Sequence, residues 1–201
     1  MIKSTFKIRN TGVILLFAVV GLTIIIISFS PYHSHKELSY RAVKQTIEIN
    51  APVEQVFLYM GNSANATKWS VYVDHITPLN MNEYADGTAG CTRRCFTNAA
   101  GTGPTWDETI IITDMFKRRR LNIFNMVNFS LSTENLLTEQ LYEIINENKC
   151  RLTLTLFLDP IKKGWPDQMK MYFTAYQINN IFARNLVNIK KLNEEFFTHI
   201  K

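Results

Sequence analysis

The stretch TIEINAPVEQVFLYMGN, residues 46–62, changes its period in the middle. Ile47 and Ile49 alternate with Thr46 and Glu48, the spacing of a strand with one face buried. Ala51-Pro52 stops that strand, and Pro52 suits the first turn of a helix, where its missing N–H costs nothing. Val53, Val56, Phe57 and Met60 then recur at helical spacing and form a single buried face. Gly61-Asn62 ends the helix, and a second short helix is expected from Ser63 toward Trp69.

Downstream, strand-like runs follow at approximately 71–78, 90–97, 105–116, 119–130, 136–146 and 150–159. Half of the chain's eight glycines (Gly87, Gly90, Gly101 and Gly103) lie between Asp86 and Pro104, where turns are needed. In the last run Leu152, Leu154, Leu156 and Leu158 point one way, while Arg151, Thr153, Thr155 and Phe157 point the other. That alternation predicts a sheet with one buried face. A long helix is expected over roughly 167–197, with the stripe Tyr172, Tyr176, Asn179, Phe182/Ala183, Leu186, Ile189, Asn193 and Phe196 laid along the sheet.

The order strand, two short helices, six strands and long C-terminal helix, with the motif of residues 46–62 followed by Trp69, resembles the START-like, or polyketide cyclase (SRPBCC), superfamily. DGTAGCTRRCFTNAAGTGPTWDETI, residues 86–110, is similar to that family's central hairpin, in which a glycine-led strand precedes a Trp-x-Glu strand. The resemblance covers about residues 40–198. It implies an α+β helix-grip fold: a curved antiparallel sheet of about seven strands around the C-terminal helix, with an apolar cavity between them. Members bind lipids, sterols, quinones, polyketides or hormones, and only some are enzymes.

The expected cavity draws its polar groups from named positions. Trp106, Glu108, Ile110 and Ile112 share one face of their strand. An ionised, unpaired Glu108 on that apolar face would cost several kcal/mol, so it calls for a partner or a raised pKa. Arg93 or Arg94 on the preceding strand is the candidate partner. The pair is either a structural tie at the cavity rim or a handle for a ligand head group. Tyr172, Tyr176 and Asn179 are candidate ligand contacts from the helix, and they read equally as packing residues. Asn125 is a further candidate, on a strand whose alternation is ambiguous. No metal or cofactor is expected.

Upstream, residues 12–29 carry no charge, follow a flank (1–11) holding Lys3, Lys7 and Arg9, and as a helix span about 27 Å. This predicts an uncleaved transmembrane helix, since the run is long for a signal peptide and lacks a clean Ala-x-Ala. Residues 30–39 read as a tether to a domain over 40–201. With Lys36, Arg41 and Lys44 after the span, the positive-inside rule leans only slightly toward placing the domain outside. Cysteine usage leans the other way. Cys91 and Cys95 lie about 13 Å apart on one strand and cannot pair. A bond from Cys150 to either would leave an odd thiol.

The formal charge of +5 shrinks when the flank is set aside, leaving 19 basic against 17 acidic side chains beyond residue 30. Nucleic-acid binding is therefore not expected. Nor are the common catalytic motifs present: no Gly-x-Ser-x-Gly, no phosphate-cradling glycine loop, no Cys-x-x-Cys. His33 and His35 read as a solvated pair, Asp74 and His75 as residues on opposite faces, and His199 as part of a fraying terminus. Lys117-Arg118-Arg119-Arg120 reads as a solvated hairpin tip or, with the Lys162-Lys163-Gly164-Trp165 loop, as a contact for anionic head groups.

Three functions remain open. The first is a membrane-tethered domain binding or transferring a small hydrophobic ligand. The second is a cyclase-, dehydratase- or hydrolase-type enzyme using Glu108 and a cavity tyrosine. The third is a protein-interaction module with a filled core. The oligomeric state is also open.

Overall fold

The computed structural model describes residues 3–34, 41–129, 133, 136–158 and 164–200. His35, Lys36, Ser130, Asp159, Lys162 and Lys163, named above, lie outside the described residues, as does the side chain of His199. The elements are α1 (Lys3–Ser28), β1 (His33–Ser34), β2 (Arg41–Ile49), α2 (Val53–Gly61), α3 (Ala66–Trp69), β3 (His75–Pro78), β4 (Thr92–Phe96), β5 (Thr105–Asp114), β6 (Arg118–Val127), β7 (Leu136–Asn146), β8 (Lys149–Leu158) and α4 (Trp165–Ile200). Ser63–Asn65 forms a 3-10 turn between α2 and α3.

Eight strands make one antiparallel sheet in the order β1-β2-β8-β7-β6-β5-β4-β3, so the strand before the helices closes against the last strand. The sheet curves around α4, which lies against β2 and β8. This is the α+β helix-grip architecture. The eighth strand is β1, a two-residue edge that pairs His33 with Ala42 and Ser34 with Arg41. Residues 30–34 therefore do not stand free as a tether: Ser30 and Tyr32 are buried, and the Tyr32 ring meets Tyr172 edge-on at 5.5 Å.

The opening motif packs as its spacing requires. Val53, Val56, Phe57 and Met60 join Ile49, Tyr142, Leu152, Leu154, Leu186 and Ile189 in one core cluster. A second cluster, around Val43, Trp106, Ile123, Leu156, Leu158, Met171, Ala175 and Ile178, fills the other end. All three cysteines are buried and free, and burial pushes the Cys150 thiol up to about 11.

Three local expectations change. The outward face of β8 is buried as well, because Phe157 sits between Ala42 and Leu137 by register, with the Arg120 guanidinium 5.7 Å above its ring. The first predicted strand after α3 shrinks to His75–Pro78, since Asp74 precedes it and escapes the alternation. Asp74 Oδ2 and His75 Nδ1 consequently do meet, at 2.9 Å, and the imidazole stacks on Phe96. The arginine run is not a free basic tip. Arg118 pairs with Asp114, Arg120 pairs with Glu139, and Arg119 turns inward and is buried.

Gly87 is where the fold depends on a missing side chain. Its φ is +77°, and a Cβ there would lie 2.6 Å from the Gly61 carbonyl oxygen and 2.9 Å from its Cα. Both neighbours are backbone, so neither can swing away. Gly101 also has a positive φ, of +66°, but its Cβ would meet only the Phe96 ring at 3.7 Å. Gly87→Ala should cost more than the ~1–2 kcal/mol of a left-handed alanine, while Gly101→Ala should stay near that figure. Urea unfolding of the two variants measures the difference.

Candidate ligand cavity

The register lines up one row of inward side chains across five strands: Arg93 opposite Glu108, Glu108 opposite Ile123, Ile123 opposite Leu136, and Leu136 opposite Leu158. Between this wall and α4 lies a cavity of about 280 Å³. Its lining is mostly apolar, with Ile76, Trp106, Leu121, Ile123, Met126 and Phe129 among the contributors.

One wall is polar. The Arg93 guanidinium donates to Glu108 Oε1 at 2.6 Å and to Ser63 Oγ at 2.9 Å. Trp106 Nε1 donates to Glu108 Oε2 at 3.2 Å, so both carboxylate oxygens are occupied. Ser63 in turn donates from its N–H and its hydroxyl to Asp86, each at 2.6 Å. Arg93 and Glu108 are only 6% and 8% exposed. Desolvation works against the Arg93 charge, but Glu108, with Cys95 and Asp86, together outweigh it and hold the guanidinium above its ordinary pKa. Burial, reinforced by Glu108, keeps the neighbouring Cys95 thiol protonated. A buried ion pair of this kind needs its extra hydrogen bonds to offset desolvation, and Ser63 and Trp106 supply them.

A second buried cation lies behind the first. Arg119 Nε donates to the Gly87 carbonyl at 3.0 Å, and Nη1 donates to Gln140 Oε1 at 3.0 Å and to the Tyr142 hydroxyl oxygen at 3.3 Å. Its guanidinium carbon rests 4.2 Å above the Phe57 ring, a cation–π contact in a desolvated site. Gly61 leaves room for it, since a Cβ there would come within 2.8 Å of Nη2. Burial lowers the Arg119 pKa and raises that of Tyr142. Gln140 joins this cluster to the cavity wall.

The structure brings Arg93, Trp106 and Glu108 together in the cavity wall. It places the other four sequence candidates elsewhere. Asn125 sits at φ +49° beside a register shift and faces outward, where Nδ2 donates to Asp107 Oδ2 at 2.9 Å. Asp107 also accepts two bonds from Arg94, which, with Asn125, hold its carboxyl below the usual range. Tyr172 accepts a hydrogen bond from Arg41, Asn179 accepts one from Gln45 at 2.6 Å, and the Tyr176 hydroxyl donates to the Ile26 carbonyl at 3.0 Å.

The cause in α4 is rotational. Its buried line is Met171, Ala175, Ile178 and Asn185–Leu186, one residue or about 100° from the predicted stripe in the first half of the helix. Thr174, Gln177, Ile178, Ile181, Phe182 and Asn185 face the cavity instead. Asn185 Oδ1 accepts from the Val71 N–H at 2.8 Å, tying the segment before β3 to the helix. An asparagine inside an apolar stripe was the available signal for it. Trp69 also lines the cavity, and its buried indole N–H has no acceptor among the described residues.

Residues 40–194 match the family described as polyketide cyclase / dehydrase and lipid transport, and the chain belongs to that family. Solved structures share the fold at low identity. The Zhui aromatase/cyclase from Streptomyces sp. R1128 is 15% identical, with a TM-score of 0.60 over 77% of this chain and 94% of its own. A START superfamily protein from Mycobacterium smegmatis is 12% identical, with a TM-score of 0.54 over 80% and 99%. Norcoclaurine synthase from Thalictrum flavum, solved with dopamine and hydroxybenzaldehyde, is 10% identical, with a TM-score of 0.55 over 76% and 86%. No curated protein matches the chain in sequence. Outside the domain, Thr11–Ser28 of α1 is long and apolar enough to cross a membrane and packs none of its residues inside the protein.

Proposed function

We propose that this protein is a membrane-anchored binding domain for a small hydrophobic ligand with one polar end. The observation that carries the reading is the mostly apolar cavity with the buried Arg93–Glu108 pair in its sheet wall. An apolar body gains by leaving water, while Arg93 and the unpaired indole N–H of Trp69 offer donors to an acceptor on the ligand. In this reading α1 crosses the bilayer and keeps the cavity at the surface of the phase where such ligands partition. A second reading takes Glu108, which lies in the cavity wall, as an acid–base group of a cyclase or dehydratase.

The test is thermal unfolding of the full chain in detergent against a panel of quinones, sterols, fatty acids and aromatic polyketides. A ligand that binds the folded state at a hundredfold excess over its Kd stabilises it by about 2.7 kcal/mol. Thr174→Phe, which puts a ring at the cavity lip, should remove that shift while leaving the ligand-free transition near its original temperature. No shift with any class would defeat the binding reading. Turnover that is lost in Glu108→Gln, with binding retained, would establish the enzymatic one.

A further inference from the structure

The first three turns of α4 carry an apolar face that the domain leaves uncovered. Trp165 is 63% exposed and Phe173 54%, and Met169 and Tyr176 lie on the same side of the helix. Plotted at 100° per residue, these four fall within an arc of about 80°, turned away from the buried line through Met171, Ala175 and Ile178. Lys170 at its margin is exposed.

This face adjoins α1. The Tyr176 hydroxyl donates to the carbonyl of Ile26, inside the apolar segment Thr11–Ser28 and only about 3 Å of helix rise before its end. In that last turn the Phe29 and Ser30 N–H groups donate to the Ile25 and Ile27 carbonyls, and the Ile26 carbonyl accepts from Tyr176. An unpaired carbonyl is costly at the edge of a hydrocarbon layer, so the bond ties the height of α4 to the height of the span. The chain between them adds to the constraint. Tyr32 packs edge-on against Tyr172, and the Arg41 guanidinium lies 5.3 Å from the Tyr32 ring and 5.6 Å from the Tyr172 ring. These contacts place the first turns of α4 beside the last turn of α1.

We infer that the Trp165–Tyr176 face of α4 lies in the interfacial layer of the same bilayer that α1 crosses. Tryptophan and tyrosine favour that depth, with ring bodies among acyl chains and polar edges among head groups. The placement has a consequence for the cavity. Gln177 follows Phe173 by about 40° around the helix; Gln177 and Thr174 line the cavity, and Gln177 is exposed, which makes this side of α4 the cavity's lip. The lip thus borders the lipid surface, and a hydrophobic ligand passes between bilayer and cavity without crossing bulk water. The inference rests on α1 being a membrane span.

The experiment uses the full chain in vesicles of phosphatidylcholine and phosphatidylglycerol. The native cysteines are buried, so a single added cysteine takes an environment-sensitive fluorophore selectively. Labels at Phe173→Cys, Gln177→Cys and Phe196→Cys report three positions along α4. Phe196 is exposed at the far end of the helix. The expected result is strong quenching by nitroxide lipids at 173, less at 177, and several-fold less at 196. If the chain resists alkaline extraction while 173 is quenched no more than 196, the seating of α4 is overturned and the span stands. If alkaline carbonate releases the chain from the vesicles, the span and the seating fall together.

Discussion

Arg93→Met should be the most damaging single substitution in the cavity wall, lowering stability by about 3–5 kcal/mol at neutral pH. The cost comes from the partner left behind. Glu108 would keep the Trp106 N–H but lose its only ion pair among the described residues, in an environment where it is 8% exposed. Ser63 would lose the guanidinium while still held by Asp86. The double variant Arg93→Met/Glu108→Gln should recover most of the loss, because the buried Glu108 charge is then gone and the part-exposed Asp86 keeps its two bonds from Ser63. Denaturant unfolding of the two single variants and the double one yields the coupling energy. The double variant also separates stability from binding. If it folds as well as the native chain yet no longer gains stability from a ligand, the pair serves recognition. If it keeps the ligand response, the pair is a structural tie.

Phe57→Ala should cost about 3–5 kcal/mol as well, for a different reason. Phe57 is 2% exposed and meets Phe116 and Tyr142 edge-on, at 5.5 Å and 5.1 Å. Removing the ring opens a void between α2 and the sheet, and the surrounding strands collapse into it only in part. It also strips the π face beneath Arg119, whose remaining acceptors are all uncharged. Phe57→Leu keeps most of the volume but not the ring, so its loss should be smaller. The excess of Phe57→Leu over an ordinary volume-conserving exchange then measures what the ring contributes to holding the cation. Chemical unfolding followed by far-UV circular dichroism on both variants is sufficient.

Phe57 shows why so much of the fold was legible. The helical spacing of Val53, Val56, Phe57 and Met60 follows from the 3.6-residue turn, and every one of these side chains is buried. The same local logic places Trp106 and Glu108 on one inward face of β5 and leaves Arg93 to meet Glu108 across the ladder. It misleads where tertiary contacts intervene. Arg119 sits in a basic run that looks solvated, yet a ring, a backbone carbonyl and a glutamine amide from three distant segments enclose it. Asn125 lies on a strand whose alternation is ambiguous in the sequence, and the irregular pairing of β6 with β5 turns it outward.

The sequence by itself determined the class and order of the elements, apart from the two-residue edge strand β1, and the apolar run ahead of them, because those properties depend on periods of two and 3.6 residues and on an uninterrupted hydrophobic stretch. Only the tertiary structure decided which side chains share the cavity. A helical period leaves open which of two neighbouring stripes faces inward, and one residue moves that line by about 100°. In α4 the choice falls to Met171, Ala175 and Ile178, and the tyrosines turn toward α1 and Tyr32. Contacts between residues 26 and 176, or 32 and 172, leave no local pattern in the chain, since their partners are brought together by the closing of the sheet rather than by spacing.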